Sequence, residues 1–329
     1  MKKIAINGMG RIGRAALKII IDHPELDLIA VNDIASKENI AYLLKYDSVH
    51  GNLGKDVTLG EGSITIDDKE IKFLNERNPE ELPWGEMNID VVIESTGIFT
   101  AQEDAERHIK AGAKTVVLSG PTKSPDVPTV VHGVNTEDGK TSIFSCASCT
   151  TNNISPVMEI LGRRIGVDKA IMTTIHADTA SNKTVDLPSA KDFRMGRSGL
   201  NNLIPTSTGA AKATAKALPE YAGKFDGISV RVPVAVGSIS DITIVTGRAT
   251  SAEEVNEILT QESGTDRYKN VFAVTNEPLV SSDIIKSAYA SIADLGMTKV
   301  VDGNLLKVLT WYDNEWGFTN QMVRQILEM

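Results

Sequence analysis

The chain has 329 residues, 41% apolar and 23% charged, the proportions of a globular protein long enough for two domains. A net charge of −9 argues against non-specific binding to nucleic acid or to an anionic membrane, and two cysteines are too few for a disulfide framework, so a reducing compartment is expected. The apolar run 4–7 after Met1-Lys2-Lys3 is too short for a secretory leader, and no apolar run approaches the ~18 residues of a membrane span.

In chain order, residues 3–7 read as an apolar strand. Gly8-Met9-Gly10-Arg11-Ile12-Gly13 follows at once, and Ile12, Ala16 and Ile19 then recur at helical spacing. Strand, glycine turn and helix form the context of a dinucleotide fingerprint. Its glycines let the backbone approach a pyrophosphate, which rests on the helix N-terminus. A second strand, 26–31, ends in Asn32-Asp33. Asp33 lies 20 residues after Gly13, where an acid accepts a hydrogen bond from a ribose 2′-hydroxyl and repels a 2′-phosphate. The expected cofactor is therefore NAD rather than NADP. The plain alternative is a tight turn with a solvated aspartate.

Residues 55–74 alternate apolar and polar around Gly60-Glu61-Gly62 and read as an inserted hairpin excursion. Strands at 89–94 and 114–119 flank a helix at 102–111, the alternation of a doubly wound parallel α/β sheet. Ser95-Thr96-Gly97 and Ser119-Gly120-Pro121 then sit at carboxyl ends of strands, the edge where such sheets bind ligands.

Ile143-Phe144 reads as a strand end, and Ile154, Val157, Met158 and Leu161 as a helix face. Cys149, in Ser145-Cys146-Ala147-Ser148-Cys149-Thr150-Thr151-Asn152, thus falls where a strand becomes a helix. Free N–H groups and the helix dipole there favour a thiolate, hence a nucleophile. A buried, inert cysteine is the plain alternative. Residues 169–175 form a β-branched strand ending at His176, a plausible base for such a cysteine, although a lone histidine is more often structural. The polar stretch 177–205 is long enough to be functional or interfacial. Thr206-Ser207-Thr208-Gly209-Ala210-Ala211 reads as a hydroxyl-rich turn entering a helix, an anion site or an ordinary cap. Strands at 228–234, carrying Arg231, and 238–246 read as an antiparallel pair joined by a short turn. A helix at 252–261, strands near 298–301 and 305–311 and a last helix from 317 complete the pattern of a mixed α+β domain with a mostly antiparallel sheet. Cys146 and Cys149 make a C-x-x-C, but no second ligand pair accompanies it, so no metal site is expected.

These motifs resemble the glyceraldehyde-3-phosphate dehydrogenase family along nearly the whole chain. The matching runs are Ile6-Asn7-Gly8-x-Gly10-Arg11-Ile12-Gly13-Arg14, Ser148-Cys149-Thr150-Thr151-Asn152, His176-Ala177 with Thr179, Thr206 to Ala213, Arg231-Val232-Pro233, and Trp311 to Gly317. The resemblance implies an NAD domain over 1–149 with the C-terminal helix 315–329 packed back on it, and a catalytic domain over 150–314. It implies oxidation of glyceraldehyde 3-phosphate to 1,3-bisphosphoglycerate through a hemithioacetal and a thioester, with Cys149 as nucleophile and His176 as base. Thr179, Ser181 and Arg231 would take the substrate phosphate; Ser148, Thr150, Thr208 and Gly209 the inorganic phosphate. Asn7, Gly8, Gly10, Arg11, Ile12, Gly13, Asp33, Arg77, Ser95, Thr96, Ser119 and Asn314 would contact NAD. It further implies a cytoplasmic homotetramer with loop 178–200 between subunits, and Leu187-Pro188 resembles the NAD-preferring form. Alternatives are erythrose-4-phosphate oxidation and an NAD-binding protein of weak activity. The chain departs from the family pattern at Asp178, usually uncharged, at Ser181, a usual threonine, and at Phe318, a usual tyrosine. Asn153 replaces a frequent cysteine and Cys146 a usual asparagine.

Overall fold

A computed structural model describes residues 1–135, 141–190 and 192–329. The described residues form two compact units, each built around its own sheet. The first comprises Met1–Val130, residues 141–147 and Met322–Met329; the second comprises Val131–Asn135 and Ser148–Gln321.

The first unit contains strands β1 (Lys2–Asn7), β2 (Leu26–Asn32), β3 (Val57–Leu59), β4 (Ser63–Ile66), β5 (Lys69–Leu74), β6 (Val91–Glu94), β7 (Thr115–Leu118) and β8 (Ile143–Ser145). Its helices are α1 (Arg11–Ile20), α2 (Lys37–Lys45) and α3 (Gln102–Lys110). The sheet order is β3-β4-β5-β2-β1-β6-β7-β8, and the run from β5 to β8 is parallel. The chain leaves β1 toward β2 on one side and returns to β6 on the other. That reversal opens a crevice at the carboxyl ends of β1 and β6, where open α/β sheets bind ligands. Ile4, Ala5 and Ile6 are wholly buried, as a strand covered on both faces requires.

The segment 55–74 is less of an excursion than its alternation suggests. β3 and β4 do form an antiparallel hairpin, but β5 pairs parallel with β2, Val31 opposite Phe73, and joins the main sheet. Period-two alternation marks a strand with one buried face and says nothing about which neighbour it chooses.

The second unit contains α4 (Cys149–Ile165), β9 (Val167–Ala177), β10 (Ile204–Ser207), α5 (Ala210–Ala217), β11 (Phe225–Val232), β12 (Ser238–Thr246) and α6 (Ala252–Ser263). It continues with β13 (Phe272–Thr275), β14 (Ser291–Asp294), β15 (Lys299–Val301) and β16 (Leu305–Tyr312). Helix α7 (Trp316–Glu328) begins here, and its residues from Met322 belong to the first unit. There Lys2 Nζ donates to the Ile326 carbonyl at 2.6 Å, a cation on the helix's negative end.

The sheet order is β10-β11-β9-β12-β16-β14-β13, with β15 beside β16. The expected β11–β12 pair does not form. β11 runs parallel to β9 and β12 antiparallel to it, so β9 lies between them. The two strands do run in opposite directions, as a short connection demands. Their turn, however, spans a neighbouring strand instead of closing a hairpin. Along β12, buried and half-buried residues alternate strictly. Its buried face, with Ile242 and Ile244, packs in one core with Ile154, Val157, Met158 and Leu161 of α4. Asn153 ties α4 to β16: Thr310 Oγ1 donates to its Oδ1 at 2.8 Å, and its Nδ2 donates to the Trp311 carbonyl at 3.3 Å.

Candidate active site and cofactor cleft

Cys149 opens α4 directly after a tight turn. Ala147 takes φ +59°, a left-handed conformation that costs an alanine about 1 kcal/mol. Ser148 then caps the helix, its Oγ accepting from Thr151 N at 3.0 Å. The sulfur of Cys149 lies 3.4 Å from Nε2 of His176, near the carboxyl end of β9.

Strand register builds the rest. Because β11 pairs parallel with β9, Arg231 stands directly opposite His176. One guanidinium nitrogen, Nη1, lies 2.5 Å from His176 Nδ1 and 3.2 Å from the Ala177 carbonyl. The same carbonyl is 2.7 Å from Nδ1. Nδ1 therefore has two neighbours that call for opposite protonation. With its proton held by Ala177 O, the Nε2 lone pair faces sulfur and can take the thiol proton. With Arg231 donating to Nδ1, the proton sits on Nε2 and faces a thiolate. Tyr312 meets the imidazole edge-on, ring centroids 6.0 Å apart, and its hydroxyl bonds to Thr150 Oγ1 and Thr174 Oγ1, each at 2.9 Å.

Burial sets the electrostatics. It pushes the Cys149 thiol up, against the Arg231 charge and the hydroxyl and N–H of Thr150, which pull it down. Burial and then Arg231 depress His176 to about 4, so its imidazole is neutral at pH 7. The helix-start argument for a thiolate is thus opposed by desolvation in the free protein.

Thr179 and Ser181 join their hydroxyls at 2.8 Å just beyond β9. Thr208 and Gly209 sit at the start of α5, where Thr208 Oγ1 accepts from Ala210 N at 3.2 Å and a side chain at Gly209 would meet nothing within 4 Å. Of the four residues expected around inorganic phosphate, Ser148 and Thr150 already spend their hydroxyls on Thr151 and Tyr312.

In the first unit, the glycine turn has the close approaches that the fingerprint requires. A Cβ on Gly8, at φ +97°, would lie 2.6 Å from Thr96 N, and one on Gly13 would lie 1.9 Å from the Gly8 carbonyl. At Gly10 it would meet nothing within 4 Å, and no side chain caps the first N–H groups of α1. Backbone packing thus excludes side chains at two glycines while the third faces open space, an arrangement that fits a pyrophosphate on the helix N-terminus. A cleft of about 340 Å³ beside the turn is lined by Asn7, Gly8, Gly10, Asp33, Arg77, Ser95 and Thr96. Asp33 accepts from Met9 N at 2.6 Å and from Ala35 N at 2.8 Å, which fixes its carboxylate at the rim.

Arg11 turns its guanidinium to Asp47 at 2.9 Å. Ser119 is half-buried, its N–H on the Glu94 carbonyl at 3.0 Å, and lies outside that lining. Asn314 belongs to the second unit, where its Oδ1 accepts from Ser238 Oγ at 3.0 Å.

Comparison with known proteins decides the family. Residues 2–102 match the description "Glyceraldehyde 3-phosphate dehydrogenase, NAD binding domain", and residues 148–314 match the C-terminal domain of the same family. The chain belongs to the glyceraldehyde-3-phosphate dehydrogenase family. It is 44% identical over 325 residues to glyceraldehyde-3-phosphate dehydrogenase 2 of Streptomyces avermitilis, covering 98% of this chain and 96% of that one. It is 43% identical over 332 residues to glyceraldehyde-3-phosphate dehydrogenase of Clostridium pasteurianum, covering 99% and 98%. The cofactor is NAD, and the chain is an NAD-dependent oxidoreductase.

Residue patterns had not singled out Tyr312, the Ala177 carbonyl or the buried Glu94–His108 pair. Tyr312 falls in the run Trp311 to Gly317, where no local pattern marks its hydroxyl as part of a site. A backbone carbonyl has no sequence signal at all.

Proposed function

We propose that this protein oxidises glyceraldehyde 3-phosphate to 1,3-bisphosphoglycerate, using Cys149 as nucleophile and His176 as base. The observation that carries the reading is the 3.4 Å approach of Cys149 sulfur to His176 Nε2 at the first turn of α4. Nε2 takes the thiol proton as sulfur attacks the aldehyde carbon, then gives it to the resulting oxyanion, leaving a neutral hemithioacetal and a free Nε2. Arg231, with Thr179 and Ser181, holds the substrate phosphate. A phosphate dianion there offsets the guanidinium charge that depresses His176, so substrate binding raises the basicity of the imidazole when a base is needed. Nε2 next takes the hemithioacetal hydroxyl proton while the carbon gives up hydride, for which bound NAD supplies the acceptor. The acyl group then remains on sulfur as a thioester. Inorganic phosphate, steered by Thr208 and Gly209 at the start of α5, attacks the thioester carbon. The thiolate leaves and the acyl phosphate is released.

The assignment of Asp33 to the ribose supports a preference for NAD over NADP. Ile171, Ile228 and Leu305, exposed apolar side chains of the second sheet, with Leu187 and Leu200 of loop 178–200, support a homotetramer. Lys191 of that loop lies outside the described residues. A glycolytic role in the cytoplasm agrees with this chemistry.

Steady-state turnover with and without inorganic phosphate is the test. Phosphate-dependent NADH formation from glyceraldehyde 3-phosphate is expected. Phosphate-independent turnover, faster with erythrose 4-phosphate, would assign the erythrose-4-phosphate alternative, in which water and not phosphate cleaves the thioester. NAD binding with no turnover on either aldehyde would assign a binding protein.

A further inference from the structure

The carboxyl edge of the first sheet carries a continuous belt of buried side chains. Its members are the last residues of three adjacent strands: Glu94 of β6, Asn7 of β1 and Asn32 of β2, in register with one another. Asn7 Nδ2 donates to Glu94 Oε2 at 2.6 Å, and Asn32 Nδ2 donates to Asn7 Oδ1 at 2.7 Å. Asn32 then clasps the backbone of Glu76 just beyond β5, donating to its carbonyl at 2.8 Å and accepting from its N–H at 2.9 Å. At the other end, Glu94 Oε1 accepts from both the N–H, at 2.8 Å, and the hydroxyl of Thr96. His108 of α3 donates from Nε2 to Glu94 Oε2 at 3.1 Å. Its tautomer is fixed, because the indole N–H of Trp84, which can only donate, points at His108 Nδ1 from 3.0 Å. Glu94, Asn7 and Asn32 are each 3% exposed or less, and His108 and Trp84 are wholly buried.

The belt has one polarity. An ionised carboxylate only accepts, so Asn7 must turn its amide nitrogen to Glu94. Asn7 then presents oxygen to Asn32, which must present nitrogen to Asn7 and oxygen to the Glu76 N–H. The orientation of every amide follows from one charge. The segments that the belt holds are walls of the cofactor cleft: Asn7, Asn32, Glu76 with the adjoining Arg77, and Thr96 all line it.

We propose that Glu94 is a positioning residue for the cofactor: its charge polarises the Asn7–Asn32–Glu76 belt and fixes the cleft before NAD arrives. This rests on the cleft being the NAD site. Glu94→Gln keeps the shape but sets an amide N–H against either the Asn7 and His108 donors or the Thr96 donors. The loosened belt must then be ordered at the expense of binding.

Calorimetric titration of parent and Glu94→Gln with NAD, with steady-state kinetics alongside, tests this. NAD affinity is expected to fall about tenfold, or ~1.4 kcal/mol. KM for NAD should rise in step, while kcat at saturating NAD and KM for the aldehyde stay within twofold. A parent that does not bind NAD overturns the cofactor site itself. A parent that binds and a folded Glu94→Gln that binds equally well overturns the belt, as does a variant losing kcat with KM for NAD unchanged. Should Glu94→Gln not fold, Trp84→Phe decides. It frees the His108 tautomer, and a several-fold weaker NAD affinity is expected; parental affinity overturns the proposal.

Discussion

The carboxyl edge of the first sheet and the ends of β9 and β11 in the second unit hold their polar side chains in opposite ways. Along the carboxyl edge of the first sheet, Glu94, Asn7 and Asn32 are buried and matched donor to acceptor. In the second unit, Nε of Arg231, near the end of β11, and Oδ1 of Asp178 and Nδ2 of Asn182, beyond the end of β9, are buried and have no partner among the described residues. A buried polar atom without a partner destabilises the fold by about 1–3 kcal/mol. The difference matches what each edge is proposed to meet. A cofactor cleft gains affinity from being fixed in advance. A site proposed to grip a substrate phosphate leaves the donors Arg231 Nε and Asn182 Nδ2 uncommitted until that phosphate arrives.

Cys149→Ser should break the contrast most sharply. Serine cannot form its alkoxide near neutral pH, so oxidation should fall more than ~1,000-fold, about 4 kcal/mol on the barrier. NAD binding, which belongs to the first unit, should be unchanged. Turnover within tenfold of the parent would remove Cys149 from the chemistry.

Arg231→Ala should follow in size. Losing a charged phosphate partner should lower kcat/KM for glyceraldehyde 3-phosphate about 100-fold, ~2.7 kcal/mol. Unphosphorylated glyceraldehyde should suffer far less, because the variant also relieves the charge that holds His176 down. Equal losses on the two aldehydes would mean that Arg231 only supports the strand pair.

On the prearranged side, the Asp33 carboxylate is held by the Met9 and Ala35 amides and cannot swing away from a 2′-phosphate. The ratio of kcat/KM for NAD over NADP should be at least ~100. In Asp33→Ser it should collapse by about tenfold or more, mainly through better use of NADP. An unchanged ratio would place the discrimination elsewhere.

What could be read from residues alone follows the same division. The fingerprint was legible because glycine is demanded by backbone contact, as at Gly8 and Gly13. Cys149 was legible because strand and helix periodicities meet at it. The β11–β9 register that sets Arg231 opposite His176 was not, since short connections suggest hairpins and strand neighbours are chosen by tertiary packing. The belt was illegible for a related reason: Asn7, Asn32 and Glu94 are far apart in sequence, and only the order of the parallel strands makes them neighbours. The sign of the Cys149 shift depends on burial, which no local pattern reports.

Asp178 tests the uncommitted edge most finely. It stands two residues after His176, and its carboxylate fills the space where a Cβ on Gly199 would fall, 2.2 Å from Oδ2. Burial pushes its carboxyl up and Arg231 pulls it down, so Asp178 and a substrate phosphate draw on the same guanidinium. Two unit charges about 4 Å apart interact by roughly 1 kcal/mol when screened as in bulk water. Asp178→Asn keeps the shape and removes the competing charge. KM for glyceraldehyde 3-phosphate should fall about threefold to tenfold, with kcat and the kinetics on unphosphorylated glyceraldehyde unchanged. Screening supplies the second readout. With a Debye length of ~10 Å at 0.1 M salt and ~3 Å at 1 M, the gap between parent and variant should narrow as salt is added. A variant whose KM rises, or whose gain extends equally to both aldehydes, would show that the carboxylate shapes the loop and does not compete for Arg231.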